Sequence, residues 1–292
     1  MSAERDLRAV ARAERDRIRR ERLHQLRRNP AFVIGAVILG FWVLCAIVGN
    51  FVVPHDPALV DILSTNKAPS SEHWFGTDVV GRDVFSRVIV GARPVLVMAF
   101  LATVIGTVLG AAIGLVTGYS KGWIDVIVMR ILDAISALPV LVIALLALAA
   151  VGGSSQPITI LIIGFVFTPI IARTVRAAVL PEAELDYVAA ARLRTERAPH
   201  ILAVEILPNV LSPIIVEFTV RLGYAVFAIA TLGFLGVGVQ LGSPNWGSQV
   251  AENYGRIFAD NWWSTTFPAT AIATLAIAIN LVADGVVESF EQ

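Results

Sequence analysis

Six apolar runs, each about as long as a bilayer core is thick, constrain this chain more than any other feature. A helix needs about 20 consecutive apolar residues to cross roughly 30 Å of hydrocarbon. Helices and closed barrels are the structures that satisfy their own backbone groups there. The runs fall at 31–53, 94–118, 123–150, 158–180, 209–238 and 266–287, and Pro54 closes the first. Composition agrees: 16% of the residues are charged, against about 25% in soluble domains, and mean hydropathy is +0.73. The sequence predicts an all-α membrane protein with six transmembrane helices and both ends on one side. The single Cys45 lies inside the first run, so thiols provide no disulfide framework.

Two regions follow, an Arg-rich tail over 1–29 and a transmembrane domain over 30–292. The tail alternates Arg with Glu and Asp and lacks Pro and Gly, which suits a solvated helix. It holds ten of the 23 basic residues, all Arg. Arg retained beside a first span fixes that end in the cytoplasm; attraction to anionic lipid headgroups is the second reading. A cleavable signal is disfavoured, because the apolar run is too long and no small-residue cleavage site follows it. With the amino terminus inside, inside segments carry fourteen Lys and Arg and outside segments five. That places the polar loop 181–208, and both termini, in the cytoplasm. No nucleic-acid partner is implied.

Inside the spans, Gly106, Gly110, Gly114 and Gly118 recur every fourth residue. Such a stripe lets a second helix approach closely. Pro139, Pro169, Pro213 and Pro268 interrupt four spans and are expected to bend them. Ionisable residues in or near the hydrocarbon are expensive and invite a functional reading. Arg130 and Asp133 are three apart and Glu217 and Arg221 four apart, so each pair can meet on one helix face. They either neutralise one another or line a polar path. Arg173 and Arg176 are read as snorkelling from the end of the fourth span, and Asp284 closes the sixth in the same region.

Catalytic signatures are weak. Gly118-Tyr119-Ser120-Lys121-Gly122 fits G-x-S-x-G, but that chemistry needs a strand-to-helix turn, and here it joins two spans. Neither H-E-x-x-H nor a phosphate-binding G-x-x-x-x-G-K-[ST] occurs, so any ATP and Mg would be bound by another chain. No metal-ligand cluster stands in the spans. The loop 181–208 is the longest polar interval of the second half. Asp186 is expected to cap a short helix beginning at Tyr187. On it Ala189, Ala190 and Ala191 leave the surface low, Tyr187 and Val188 stand out as knobs, and Arg192, Arg194 and Arg197 add a positive rim. Such a helix either docks in a groove of a cytoplasmic partner or is a solvated connector.

Four stretches together resemble one family. Tyr187-Val188-x-Ala190-Ala191-Arg192 followed by Ile206-Leu207-Pro208-Asn209 is similar to the EAA loop of the inner-membrane permeases of ABC importers. Trp74-Phe75-Gly76-Thr77-Asp78, Gly81-Arg82-Asp83-Val84-Phe85-Ser86-Arg87 and Gly91-Ala92-Arg93 resemble the segment before the second span in the dipeptide and oligopeptide systems. Phe234-Leu235-Gly236-Val237-Gly238-Val239-Gln240 with Trp246-Gly247, and Asn280-Leu281 with Asp284-Gly285, resemble the ends of that family's fifth and sixth spans. The match runs in order from about residue 30 to 290 and points to the second permease of a peptide/nickel-type pair.

The resemblance implies a type I ABC importer permease fold with a cytoplasmic coupling helix between spans 4 and 5. It implies a non-catalytic subunit paired with a second permease, two ATPase subunits beneath and an extracytoplasmic substrate-binding protein above. Asp186, Tyr187, Val188, Ala190, Ala191, Arg192, Leu207 and Pro208 would then carry the coupling to ATP, with a peptide as the substrate. Three positions depart from the family pattern: Ala189 replaces a polar residue, Arg194 an apolar one and Thr195 a Gly, which alters the expected turn. An ion-coupled secondary transporter is the alternative, and a serine hydrolase resting on Ser120 is a weaker one. The segment 54–86 should be irregular and extracytoplasmic. The segment 241–264 either folds over the pathway exit or uses Trp246, Trp262 and Trp263 to mark the interface.

Overall fold

The computed structural model describes residue 26 and residues 28–152, 155–240, 242–258 and 261–291. Of the 1–29 tail, only Leu26, Arg28 and Asn29 fall among them, so the expected tail helix lies outside the described residues. Among the described residues ten helices follow one another: α1 Pro30–Val52, α2 Val84–Ser120, α3 Gly122–Ser136, α4 Val140–Ala150, α5 Gln156–Glu182, α6 Asp186–Leu193, α7 Ala198–His200 running on as the π-helix Ile201–Ile206, α8 Leu211–Phe234, α9 Trp246–Asn253 and α10 Trp263–Glu291. Short 3-10 turns stand at Ile62–Ser64 and Tyr254–Arg256. Among the described residues the only β pairing is an isolated bridge between Thr77 and Asp83.

Five of these helices are long and apolar enough to cross a membrane, and α3 with α4 makes a sixth if the bent pair counts as one span. The third predicted span is therefore corrected. It is not continuous over 123–150 but turns by 86° between α3 and α4. Pro139 sits at the corner with an extended backbone. Its ring excludes the helical carbonyl four residues back and disfavours helix at the residue before it. Pro94, Pro169 and Pro268 stay inside their helices. Pro213 lies in the first turn of α8, where a missing N–H leaves no bond unmade.

The second span is corrected as well. α2 has 37 residues, about 55 Å at 1.5 Å per residue, and starts ten residues before the expected boundary. The Asp83 carboxylate caps it, accepting the Ser86 N–H at 2.8 Å. The polar first turns stay helical because Ser86 and Arg87 are buried among partners rather than solvated.

The most extensive packing in the protein is α2 along α5. The glycine stripe makes it. A Cβ on Gly106 would lie 2.8 Å from the Gly164 carbonyl oxygen, and one on Gly110 2.7 Å from Ile171 Cβ. On Gly114 and Gly118 it would lie 2.7 Å from Val175 Cβ and 2.8 Å from Val179 Cβ. α1 is largely exposed and presents one face, Gly35, Trp42, Cys45 and Gly49, to the bundle. There Trp42 Nε1 donates to Thr274 Oγ1 on α10 at 3.2 Å. Asn29 caps α1 through Phe32 N–H and donates to Glu288 at 2.7 Å, tying the two outer helices at that end.

The opposite end of α2 carries the irregular segment 54–83, clasped to the α8–α10 connection. Arg87, 1% exposed, donates to the carbonyls of Pro57, Gly242 and Ser243 at 3.1–3.2 Å. Arg82 pairs with Asp78 and reaches Glu252 on α9. Burial works against the Arg82 charge, but the carboxylates of Asp78 and Glu252 outweigh it and hold its pKa above the ordinary value. Gly81 makes the enclosing turn at φ 83°; a Cβ there would fall 1.8 Å from the Asp61 carbonyl oxygen. Trp246 is fully buried and donates to the Val88 carbonyl at 2.8 Å, and Trp263 to that of Thr77 at 3.0 Å. These two tryptophans are fasteners of the clasp and do not mark an interface. Trp262 is 49% exposed.

Candidate functional site

The loop 181–208 folds as a helix–turn–helix seated on the end of the bundle. α6 begins one residue earlier than its sequence suggests. Leu185 takes the extended cap position, Asp186 is the first helical residue, and no side chain caps the helix. Asp186 is thus not the cap; its charge still lies at the amino-terminal end, where a helix dipole favours an anion. Val188 and Ala191 are fully buried, which overturns the reading of Val188 as an outward knob. They sit in the hydrophobic core with Ala183, Ile201, Ile206 and Val210, against which Tyr187, Leu202 and Leu207 are half-buried. Pro208 is exposed and Ala190 half-buried.

Polar contacts fix this unit to two spans. The Tyr187 hydroxyl donates to Glu182 at 2.7 Å and accepts from Asn209 Nδ2 at 3.0 Å. Burial, with the Glu182 carboxylate alongside, raises the phenol above its usual pKa, so Tyr187 stays a donor across the physiological range. Arg192 lies over the Tyr119 ring, 4.8 Å from its centroid, and Lys121 pairs with Glu184. Hydrogen bonding to Lys121 and its charge lower the Glu184 pKa. Tyr119 lies in the last turn of α2 and Lys121 is the cap residue just past it. The expected positive rim is therefore largely spoken for: Arg192 turns onto Tyr119, and Arg194 pairs with Glu196 at 2.7 Å and Glu205 at 3.6 Å. Arg197 remains exposed.

Thr195 supplies the turn that a Gly would be expected to make. It sits at φ 58°, its N–H bonds the Arg192 carbonyl at 2.9 Å, and Glu196 N–H bonds that of Ala191 at 3.2 Å. These are the two bonds of a Schellman C-cap, so the turn is kept despite the substitution. A non-glycine residue there carries about 1–2 kcal/mol of strain, partly offset by the lower entropy of its unfolded chain, about 0.5–1 kcal/mol. Thr195→Gly is expected to stabilise the protein by up to about 1 kcal/mol, read as a rise in thermal midpoint in detergent.

Exposed on α6 and its cap are Leu185, Asp186, Ala189, Arg192 and Leu193, with Leu193 85% and Leu185 47% exposed. Leu185 in the cap and Leu193 in the last turn are exposed at the two ends of the helix, with the low, exposed Ala189 between them, while Val188 and Ala191 face the core. Sequence reading missed both leucines.

The ionisable residues in the spans pair differently from expectation. Asp133 does not meet Arg130. It faces Arg173 on α5 at 3.5 Å, and Arg173 also donates to Ser136 at 2.8 Å. Arg176 grips Asp125 with two nitrogens. α5 continues to Glu182, so neither arginine ends the span, and both pin α3 to α5 rather than snorkel. Glu217 and Arg221 do pair, at 2.9 Å. Thr174 donates to Glu217 at 2.9 Å, and Arg221 lies 5.2 Å from the Tyr224 ring centroid. Asp284 is exposed near the end of α10. Ser120 closes α2 beside the loop, whereas His55 and His73 lie at the other end of that helix.

Apolar spans around a glycine seam, with a packed helix–turn–helix on one end and a clasped cap on the other, define an integral membrane helical bundle. Residues 106–292 match the family described as the binding-protein-dependent transport system inner membrane component, and residues 19–69 match the N-terminal TM domain of oligopeptide transport permease C. The chain belongs to the first of these families, and this membership displaces the ion-gradient alternative. It is 34% identical to the dipeptide transport system permease protein DppC of Alkalihalophilus pseudofirmus, over 93% of this chain and 89% of that one. It is 36% identical to the probable D,D-dipeptide transport system permease protein DdpC of Escherichia coli K12, over 89% and 87%. The fold resembles a chain of the inward-facing MetNI methionine ABC transporter, with a TM-score of 0.55 and 18% identity over 69% of this chain and 95% of that one. The protein is thus a membrane-embedded, multi-helix component of the bacterial inner membrane.

Proposed function

We propose that this chain is one of two permease subunits of an ATP-driven importer of di- or oligopeptides, with α6 as its coupling helix. The observation that carries the reading is the seating of α6: Val188 and Ala191 fully buried beneath it, Leu185 and Leu193 exposed above. A helix held this way moves as one body with the ends of α2 and α8, to which Tyr119, Lys121 and Asn209 tie it. A partner that pushes on α6 therefore pushes on two spans. ATP and Mg would act on two ATPase subunits beneath the permeases, and a binding protein would deliver peptide at the 54–83 end. Both termini and the 181–208 loop would then face the cytoplasm, with lipid around α1. A partner shifts the balance between access states only through contacts that differ between them, so α6 must meet the ATPases differently when these are open and closed. Peptide as substrate is supported by the dipeptide permeases among the relatives. The cluster of Glu217, Arg221 and Thr174 is the proposed polar lining of the pathway.

Truncating both exposed leucines tests the docking surface. Apolar contacts at the centre of an interface cost about 1 kcal/mol or more each when cut back. Leu185→Ala with Leu193→Ala is expected to weaken ATPase association on the order of tenfold or more. The amount of inserted, folded permease should not change. Unchanged association in a pull-down titration would reject this face as the contact.

A further inference from the structure

The cap at the 54–83 end contains a group that neither the transport reading nor the clasp uses. We propose that His55, His73 and Asp83 form a binding site for a divalent transition ion of the zinc class. Each residue offers one ligand atom, and the three atoms lie within 4.8 Å of one another. The imidazoles are neighbours, with ring centroids 4.7 Å apart. His73 and Asp83 are buried, and the half-buried His55 leaves an approach from solvent.

The surrounding bonds suit ligation. Asp83 uses Oδ2 to cap α2, accepting Ser86 N–H at 2.8 Å, while Oδ1 faces His73 Nδ1 at 2.9 Å. A carboxylate only accepts, so His73 Nδ1 carries the proton here; an ion bound between Nδ1 and Oδ1 would take that proton's place as the ring shifts to its Nε2–H tautomer, and the cap through Oδ2 is kept. His55 Nε2 lies 2.9 Å from the Glu72 carbonyl. A carbonyl only accepts, so this nitrogen carries the proton and Nδ1 keeps its lone pair. A carbonyl partner of this kind is what orients a metal-binding imidazole. Two imidazoles and one carboxylate favour zinc, nickel or copper over magnesium or calcium. Tetrahedral bonds of about 2.0–2.1 Å would set the ligand atoms roughly 3.3 Å apart. Closure therefore asks a modest rotation of the side chains, with water as the fourth ligand. The ligands come from just after α1, from mid-segment and from the cap of α2. A bound ion would staple the segment 54–83 across its length and stabilise it.

The test uses the full chain in its purified, assembled complex, stripped with chelator and then titrated with ZnCl2. Bound zinc is counted per copy of this chain, and the thermal midpoint is followed in parallel. The wild type should take up one more zinc than His55→Gln, with at least tenfold higher affinity, and should gain stability that the variant does not. His200→Gln, in the 181–208 loop, should match the wild type, and MgCl2 should not compete. His55 is half-exposed, so its replacement leaves folding intact where His73→Gln could disturb Asp83. Equal zinc uptake by wild type and His55→Gln, or no stoichiometric uptake by the wild type, overturns the site. The result stands apart from the transport reading, because neither readout depends on peptide movement or ATP.

Discussion

Leucine in place of Gly114 is expected to unseat α5 from α2. A Cβ at that position already meets Val175 Cβ and the Ala172 carbonyl at 2.7 Å and Arg176 N at 2.9 Å. Much of what it meets is helix backbone, which cannot swing aside as a flexible side chain can. Overpacking a close interface costs about 1–3 kcal/mol, and a branched side chain here would need the helices to separate along the seam. Arg176 is the next casualty, because its paired grip on Asp125 depends on the same stretch of α5. Gly114→Leu should therefore lower the thermal midpoint and the yield of monodisperse protein, and Gly110→Leu should behave alike. Gly40→Leu is the control: a Cβ at Gly40 meets nothing within 4 Å, and this variant should resemble the wild type. Equal stability of Gly114→Leu and Gly40→Leu would contradict the seam.

The second large effect is expected at Arg87. Its guanidinium holds three carbonyls and lies 3.9 Å from Asp78 and 3.8 Å from Glu252. Removing one partner from a buried charged network costs about 3–5 kcal/mol, because the charge left behind has no water to turn to. Asp78 is only 2% exposed and would keep Arg82 alone. Arg87→Leu should open the clasp between the segment 54–83 and α9, seen as protease cleavage within 54–83 and a lowered thermal midpoint. Arg87→Lys should recover only part of the loss, since an ammonium cannot reproduce the planar fork whose Nη1 reaches Pro57 and Gly242 and whose Nη2 reaches Ser243. A protected segment in Arg87→Leu would show that Trp246 and Trp263 hold the cap without the arginine.

Much of this architecture was legible in the sequence because hydrocarbon leaves few options: long apolar runs become helices. What escaped was set by partners distant along the chain. The early start of α2 depends on Arg87 and Ser86 being satisfied by residues of other segments, so a polar stretch that reads as loop is helical. Pro139 was visible as a breaker, but nothing local distinguishes a gentle kink from the 86° turn found. Asp133 followed the helix-neighbour rule to Arg130, yet a stronger partner, Arg173, faced it from α5. On the loop, tertiary packing decided which side of α6 is hidden: Val188 is conspicuous in sequence and buried in fact, while Leu193 drew no notice and is exposed. Thr195 shows a departure from a family pattern that leaves the geometry intact. His55 and His73 are 18 residues apart in an irregular segment, where no periodicity predicts that their rings meet.

The central claim, that α6 is where ATPase motion enters the spans, is tested most directly by cross-linking. Ala189→Cys, placed in a Cys45→Ser background, puts a single thiol at the middle of the exposed face, with the protein assembled with its ATPase subunits. The account predicts a cross-link to an ATPase subunit whose yield changes between the nucleotide-free and ATP-bound states. No cross-link from Ala189→Cys, nor from Leu185→Cys or Leu193→Cys in folded and assembled protein, would contradict it.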